Sequence, residues 1–313
     1  VPHVVIALGG NAIAPAGTAG TAEEQTTNIA RSMLQVAALV DEDVEVVLTH
    51  GNGPQVGNVL VKNELARDVV PPVPLDWCVA QTQATIGFTI ASTLSYALAA
   101  VGRDTPVAPV VSRVLVDLDD PAWDAPSKPI GQHLTDQDEV RRREAQGQAF
   151  MHDEGRGWRR VVPSPDPLRS IDRPSIELLL GDGAIVVANG GGGIPVVDPG
   201  DGPLRGVEAV IDKDLAGAML ARELDADAYL ILTDVPGVAL DWGTDDERWL
   251  GTVTVEELRG HQADGHFRAG SMDPKVEAVC RFVEQTGRTA TIAALDEALS
   301  AWRGESGTQV VPA

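Results

Sequence analysis

The sequence predicts an α/β fold built on a mainly parallel sheet, and three observations carry that prediction. Short β-branched runs alternate with longer helical patterns along the chain. Several of these runs end in glycine-rich turns, and in a parallel sheet such turns gather on one edge, where ligands bind. With 313 residues and 43% hydrophobic content, the chain can also bury a sizeable core within one two-lobed domain, 1–313.

The elements follow in order. Val4 to Leu8 reads as a strand, and Thr21-Ala22-Glu23-Glu24 forms a capping box starting a helix that runs to about Val40. Val44 to Leu48 is the next strand; after His50-Gly51-Asn52-Gly53, Pro54 suits the first position of another helix. Asp76 to Ala100 is helical in composition throughout, and Val107 to Val111 suits a third strand. From about Arg113 to Arg160 the chain turns polar and is punctuated by Pro and Gly, the pattern of an inserted flap at 113–160. Strands are then expected at Ala184 to Ala188, Val207 to Ile211, Ala228 to Leu232 and Thr289 to Ala293, with helices over Lys213 to Leu224 and from Pro274.

A formal charge of −22 argues against nucleic acid or an anionic membrane surface as a partner, since both attract basic patches. No apolar run reaches the roughly 18 residues of a membrane span, and no basic segment precedes the opening strand as in a signal peptide. Cys78 and Cys280 lie far apart and read as buried thiols of a reducing compartment, so a cytoplasmic location is expected. Only four lysines, Lys62, Lys128, Lys213 and Lys275, stand beside twenty arginines. Such an acidic, lysine-poor composition is expected of a protein kept soluble in concentrated salt, a halophilic setting.

Four glycine-rich turns are expected after strands: Gly9-Gly10-Asn11, Gly51-Asn52-Gly53, Gly190 to Gly193, and Gly270-Ser271. Glycine there lets backbone N–H groups close on an anion. Neither a Rossmann fingerprint nor a P-loop is present in its expected setting, and no cysteine–histidine set has zinc spacing. The lysines point further. Asp212 suits an N-cap, which places Lys213 first and Asp214 second in a helix, and Asp273-Pro274 likewise places Lys275 in a first turn. A cation there opposes the helix macrodipole by roughly 0.3–1 kcal/mol, so two such placements call for a compensating anion such as a polyphosphate. The competing reading pairs each lysine with Asp212, Asp214 or Asp273 on a solvated helix end. Lys128, between turn formers on the flap, suits a ligand role and a solvated loop equally. Asp214 is either an organiser of the lysines or an ordinary first-turn acid, and Thr233-Asp234 either borders a nucleotide base or makes a plain turn. His50 reads as structural and Lys62 as a surface residue.

Together these motifs resemble the carbamate kinases of the amino acid kinase superfamily, and the resemblance spans nearly the whole chain. It rests on Ala7 to Ala12, His50 to Gly57, Lys128-Pro129-Ile130-Gly131, Gly190 to Pro195, Val210 to Asp214, and Gly270-Ser271-Met272 with Pro274-Lys275, in that order. The resemblance implies an open three-layer αβα sandwich, an N-lobe over about 1–205 for the phosphoryl acceptor, a C-lobe over about 206–313 for the nucleotide, and a homodimer. It implies reversible phosphoryl transfer between carbamoyl phosphate and ADP, giving ATP and carbamate, with Mg²⁺, as in arginine fermentation. By the same resemblance Gly9, Gly10, Asn11, Gly51 and Asn52 hold the phosphoryl group and small substrate. Lys128, Lys213, Asp214 and Lys275 are catalytic, and Lys213, Thr233, Asp234, Gly270, Ser271, Met272 and Lys275 bind nucleotide. One departure is Asp273, where the family usually has glycine, and another is Ala269, where it has proline; Asp273 can cap its helix, yet its charge would then lie near nucleotide phosphates. A kinase acting on another small acid, or a nucleotide sensor without catalysis, are the competing functions.

Overall fold

Alternate residues along the central strands enter opposite faces of one sheet, and each face carries its own apolar core. The computed structural model describes residues 1–14, 20–267 and 271–313, apart from the side chains of Asn11, Ala12 and Gln132. Val4, Ile6 and Leu8 of the strand His3–Leu8 pack on one side with Val46 and Leu48 of Glu45–His50, while Val5, Ala7 and Val47 pack on the other. Helices Ala22–Asp41, Leu75–Ala100 and Ala298–Trp302 cover the first face. Helices Arg173–Gly181, Lys213–Glu223, Val255–Ala263 and Asp273–Thr286 cover the second. The result is a three-layer αβα sandwich.

Among the described residues the main sheet has eight strands, in the order Thr252–Thr254, Thr308–Val311, Thr289–Ala294, Ala228–Thr233, His3–Leu8, Glu45–His50, Ile185–Val187, Val107–Pro109. The last six run parallel, and the first two run against them at one edge. Burial on both faces explains why the central strands read as nearly unbroken apolar runs. The expected capping box is present: Thr21 Oγ1 accepts from the Glu24 amide, and the Glu24 carboxylate accepts from the Thr21 amide. Cys78 and Cys280 are both free and buried, and Lys62 is exposed.

The segment read as one flap divides between two sheets. Arg113–Leu115 joins Arg169–Ser170, Ile194–Val197 and Arg205–Gly206 in a four-stranded sheet, whereas Lys128–Leu134, Ala149–Asp153 and Gly157–Val162 form a separate antiparallel sheet with the helix Gln137–Glu144. This second unit docks on the body through Ile130 and Val162, which pack on Val56, Leu75, Val79 and Val210. Its closest approach is glycine on glycine. A Cβ built on Gly57 would lie 2.2 Å from the Gly131 Cα, and Gly131 itself has φ +69°.

Four local expectations need correction. Val207 to Ile211 is not a strand: only Arg205–Gly206 pairs, and Ala209, Val210 and Ile211 are apolar because they are buried in the cores beside the flap, not because they join a ladder. The turn at Ser271 follows the helix Val255–Ala263, not a strand. Pro54 takes the second helical position, since Asn52 is the N-cap of Gly53–Ala66. Asp273 does not cap its helix; Met272 holds the cap position, and Asp273 Oδ1 accepts from Gln262 Nε2 at 3.0 Å. That bond fixes the extra carboxylate to the neighbouring helix.

Gly57→Ala is expected to leave the main sheet intact and lift the flap. Trypsin cleavage around Arg141 to Arg143 should then accelerate with no change in far-ultraviolet circular dichroism, and an unchanged cleavage rate would show that the glycine contact does not seat the flap.

Candidate active site

Backbone turns meet at the carboxyl edge of the parallel strands. Gly10 follows His3–Leu8, Gly51 and Asn52 follow Glu45–His50, and Gly191 follows Ile185–Val187. These residues line a cleft of about 190 Å³, which also receives the first turns of Gly53–Ala66, Lys213–Glu223 and Asp273–Thr286 through Pro54, Lys213, Asp214, Pro274 and Lys275. Three positively polarised helix ends therefore open on one volume. Lys128 enters it from the flap. Glycine is required at 191, where φ is +67° and a Cβ would lie 2.2 Å from the Asn52 amide.

Charge in the cleft is arranged around two aspartates. Lys213 Nζ donates to Asp214 Oδ1, and Lys275 Nζ donates to Asp214 Oδ2 at 3.1 Å. Lys128 Nζ donates to Asp212 Oδ2 at 2.5 Å, while Asp212 Oδ1 caps the Lys213–Glu223 helix by accepting from the Asp214 and Leu215 amides. The Lys213 and Lys275 side chains are only 12% and 15% exposed, so the solvated helix end is not what they occupy. Burial pushes Lys213 down to about 8 against the pull of Asp214. Lys275 is also pushed down by burial, but Asp214 outweighs that and leaves it raised. Burial raises Asp214 and Asp212 in turn, and the neighbouring lysines overcome it and hold both carboxyls below the usual range. Three ammonium groups facing two carboxylates leave one net positive charge, which suits an arriving anion.

Behind the cleft, the long helix Leu75–Ala100 ties the turns down. Asn52 Nδ2 donates to Thr82 Oγ1 at 2.8 Å, and Gln83 Nε2 donates to the Gly190 and Ser112 carbonyls at 2.9 and 3.1 Å. Gln83 Oε1 accepts from the Ser112 amide at 2.9 Å. His50 is fully buried and pushed down to about 4 by burial, so it is neutral at physiological pH, with its ring against Gly190.

A second cavity of about 260 Å³ shares the Ser271 and Lys275 walls with the cleft and adds Thr233, Asp234, Met272, Trp242, His266 and Phe267. Its aromatic walls suit a flat heterocycle, and its junction with the lysines suits a phosphate tail. Of the residues singled out in the sequence, Gly10, Gly51, Asn52, Lys128, Lys213, Asp214, Ser271 and Lys275 line the cleft, and Thr233, Asp234 and Met272 line the second cavity. Gly9 stands behind the cleft, its amide donating to the Leu232 carbonyl at 2.8 Å. The Asn11 side chain and Gly270 lie outside the described residues. Sequence reasoning missed the pairing of Asp212 with Lys128, the tethers Thr82 and Gln83, and the aromatic wall. For that wall a signal existed: in a chain only 4% aromatic, Trp242 and Phe267 are conspicuous in turn-rich segments.

The pattern of the "Amino acid kinase family" matches residues 2–294. The chain belongs to that family, among the carbamate kinases. It is 50% identical to the carbamate kinase of Thermococcus kodakarensis over 312 residues, covering 99% of each chain, and 46% identical to that of Pyrococcus furiosus over the same length and coverage. Among solved structures, the carbamate kinase from Giardia lamblia bound to AMP-PNP superposes with a TM-score of 0.92 at 37% identity, covering 100% of this chain and 99% of that one. Membership in this kinase family accords with a cleft that gathers lysines and helix ends rather than a nucleophile and base.

Lys213 has opposite effects on stability and on anion binding. Its folded pKa, about 8 against an ordinary 10.5, means that the unfolded chain binds the proton more tightly, so this group adds stability as pH rises between those values. Anion binding needs the charged form and weakens over the same range. NMR of ¹³C-labelled lysine should show one of the four lysines titrating near pH 8, moving upward with inorganic pyrophosphate and downward in Asp214→Asn. Four lysines all titrating above pH 10 would refute the assignment.

Proposed function

We propose that the cleft transfers a phosphoryl group reversibly between carbamoyl phosphate and ADP, giving ATP and carbamate, in the direction of ATP during arginine fermentation. The observation that carries this reading is the cluster of Lys213, Asp214 and Lys275, closed over by Lys128, in a small cleft that runs into an aromatic-walled cavity. ADP lies with its base against Trp242 and Phe267 in the C-lobe, about 206–313. Carbamoyl phosphate lies between Gly10, Gly51 and Asn52 in the N-lobe, about 1–205. Gly9 supports the first of these turns through the Leu232 carbonyl. Ser271 and Met272 complete the nucleotide contacts.

Chemistry of this kind asks the protein to hold reactants in line and to neutralise charge spread over the moving phosphoryl group. Lys213 and Lys275 supply that neutralisation, and Asp214 keeps their ammonium groups apart yet aimed at one point. Lys128 leaves Asp212 to meet the substrate. No general base is needed, because the carbamate oxygen is already anionic. Mg²⁺ finds no carboxylate cage among the described residues: Asp214 is engaged by Lys213 and Lys275, Asp212 caps the Lys213–Glu223 helix, and no cluster of His, Cys, Asp or Glu able to hold a metal occurs there. The nucleotide phosphates would hold it, and bound there it would shield their charge. Asp273 accepts from Gln262 and lines neither the cleft nor the aromatic-walled cavity, which weakens the reading as a non-catalytic sensor.

We also propose a homodimer. Apart from Asp76 the Leu75–Ala100 helix carries no charge, and its outer face exposes Trp77, Phe88 and Tyr96 in a chain of net −22. A second copy of the chain presents the same uncharged stripe and could cover it without bringing in further charge. The dense acidic surface supports a cytoplasm of high salt.

Wild-type protein given carbamoyl phosphate, ADP and Mg²⁺ in concentrated KCl should form ATP, and Lys213→Ala should lower kcat by about 10²–10³-fold while remaining folded. ADP binding without ATP formation would reject the kinase reading in favour of a sensor. By analytical ultracentrifugation, wild type should sediment as a dimer and Phe88→Glu as a monomer; equal masses would reject the Leu75–Ala100 face as the interface.

A further inference from the structure

Among the described residues, ten arginines of this acidic chain are ion-paired. Arg67 and Arg160 are among those that are not: among the described residues neither side chain makes a hydrogen bond or ion pair, and the Nε of Arg160 is sealed from solvent without an acceptor. Both line one cavity of about 390 Å³ at the seam between the flap and the body, away from the cleft. Burial pushes the Arg160 guanidinium below its ordinary pKa despite Glu208 and Glu64 nearby, a cost that a partner anion would relieve. The same cavity also holds acceptors. Glu64 and Glu208 line it, and the Gln148 amide is oriented by its donation to Glu64 Oε1 at 3.4 Å, which leaves Gln148 Oε1 as a buried acceptor without a donor.

We propose that this seam binds a small organic acid that carries a carboxylate for Arg67 and Arg160 and an amine or hydroxyl for the Gln148 and Glu208 side. The two arginine forks suit a planar carboxylate. Two carboxylates in the cavity, Glu208 and the Arg143-paired Glu64, disfavour a polyanion and favour a ligand that also carries a donor. An occupant would join the flap to the body, because Arg160 and Gln148 belong to the flap while Arg67 and Glu64 lie on or beside the Gly53–Ala66 helix. Arg160 pairs with Ile130, two residues from Lys128 on the same strand, so the occupant acts on the strand that carries the flap lysine into the cleft. That last link, to turnover, rests on the proposed kinase reading; binding does not.

The test is calorimetric titration of the whole protein saturated with AMP-PNP and Mg²⁺, in buffer free of carboxylate and phosphate. The probes are acetate, L-lactate, inorganic phosphate and each of the twenty L-amino acids. At least one donor-bearing carboxylate should bind more tightly than acetate or phosphate. Arg67→Ala, at an exposed position where folding is not at risk, and Arg160→Met should each weaken that binding by about tenfold or more. Glu208→Gln should erase the preference over acetate. The proposal is overturned if no probe binds wild type, if Arg67→Ala binds the same probe equally well, if inorganic phosphate is preferred, or if a crystal grown with the probes shows the seam holding only water or halide. ATP formation by the untreated enzyme is read separately, so failure of the kinase reading and failure of this site are told apart.

Discussion

Asp214 stands between Lys213 and Lys275, and the rest of the site depends on that arrangement. Two ammonium groups on the positive ends of two helices repel each other and oppose both macrodipoles, and burial raises the cost again. One carboxylate touching both makes the cluster tolerable without cancelling it, since Lys128 brings a third ammonium group and Asp212 only a second carboxylate. The fold carries this imbalance in its resting state, and an arriving anion would relieve it. Asp212 does double duty, capping the start of one helix and holding the flap lysine over the cleft.

Close backbone approach makes the geometry possible. Gly191 admits the Asn52 amide, and Gly57 admits the flap at Gly131; in each case the space that a methyl group would fill is occupied by a neighbour. The long helix Leu75–Ala100 links these features. Its buried side holds Asn52 and Gly190 through Thr82 and Gln83, and its outer side presents the uncharged aromatic stripe. Whatever packs on that stripe bears on the element that fixes the glycine turns of the cleft.

Much of the fold was legible in the sequence because local signals and burial agreed. The Thr21 capping box, the apolar central strands and the helix starts at Lys213 and Asp273 all lie within a residue or two of expectation. Legibility failed where apolar character reported burial without a ladder, as at Val207 to Ile211, and where a strand was short or an edge, as at Thr252–Thr254 and Thr308–Val311. In the site, the lysines stood out because lysine is otherwise rare here. Residues that act from behind left less trace: Gln83 sits in an uninterrupted helical pattern, and its role depends on Ser112 and Gly190, 29 and 107 residues away. The bond from Gln262 to Asp273 likewise joins two helices whose packing the sequence does not state.

The most direct measurement is a crystal structure with a non-hydrolysable ATP analogue and Mg²⁺, reading the distances from Lys213 Nζ and Lys275 Nζ to phosphate oxygens. Both should fall near 2.7–3.0 Å, the range of charge-assisted hydrogen bonds, with Asp214 still between them. Ammonium groups that remain on Asp214 alone or turn to bulk solvent, with the phosphates bound elsewhere, would contradict the account.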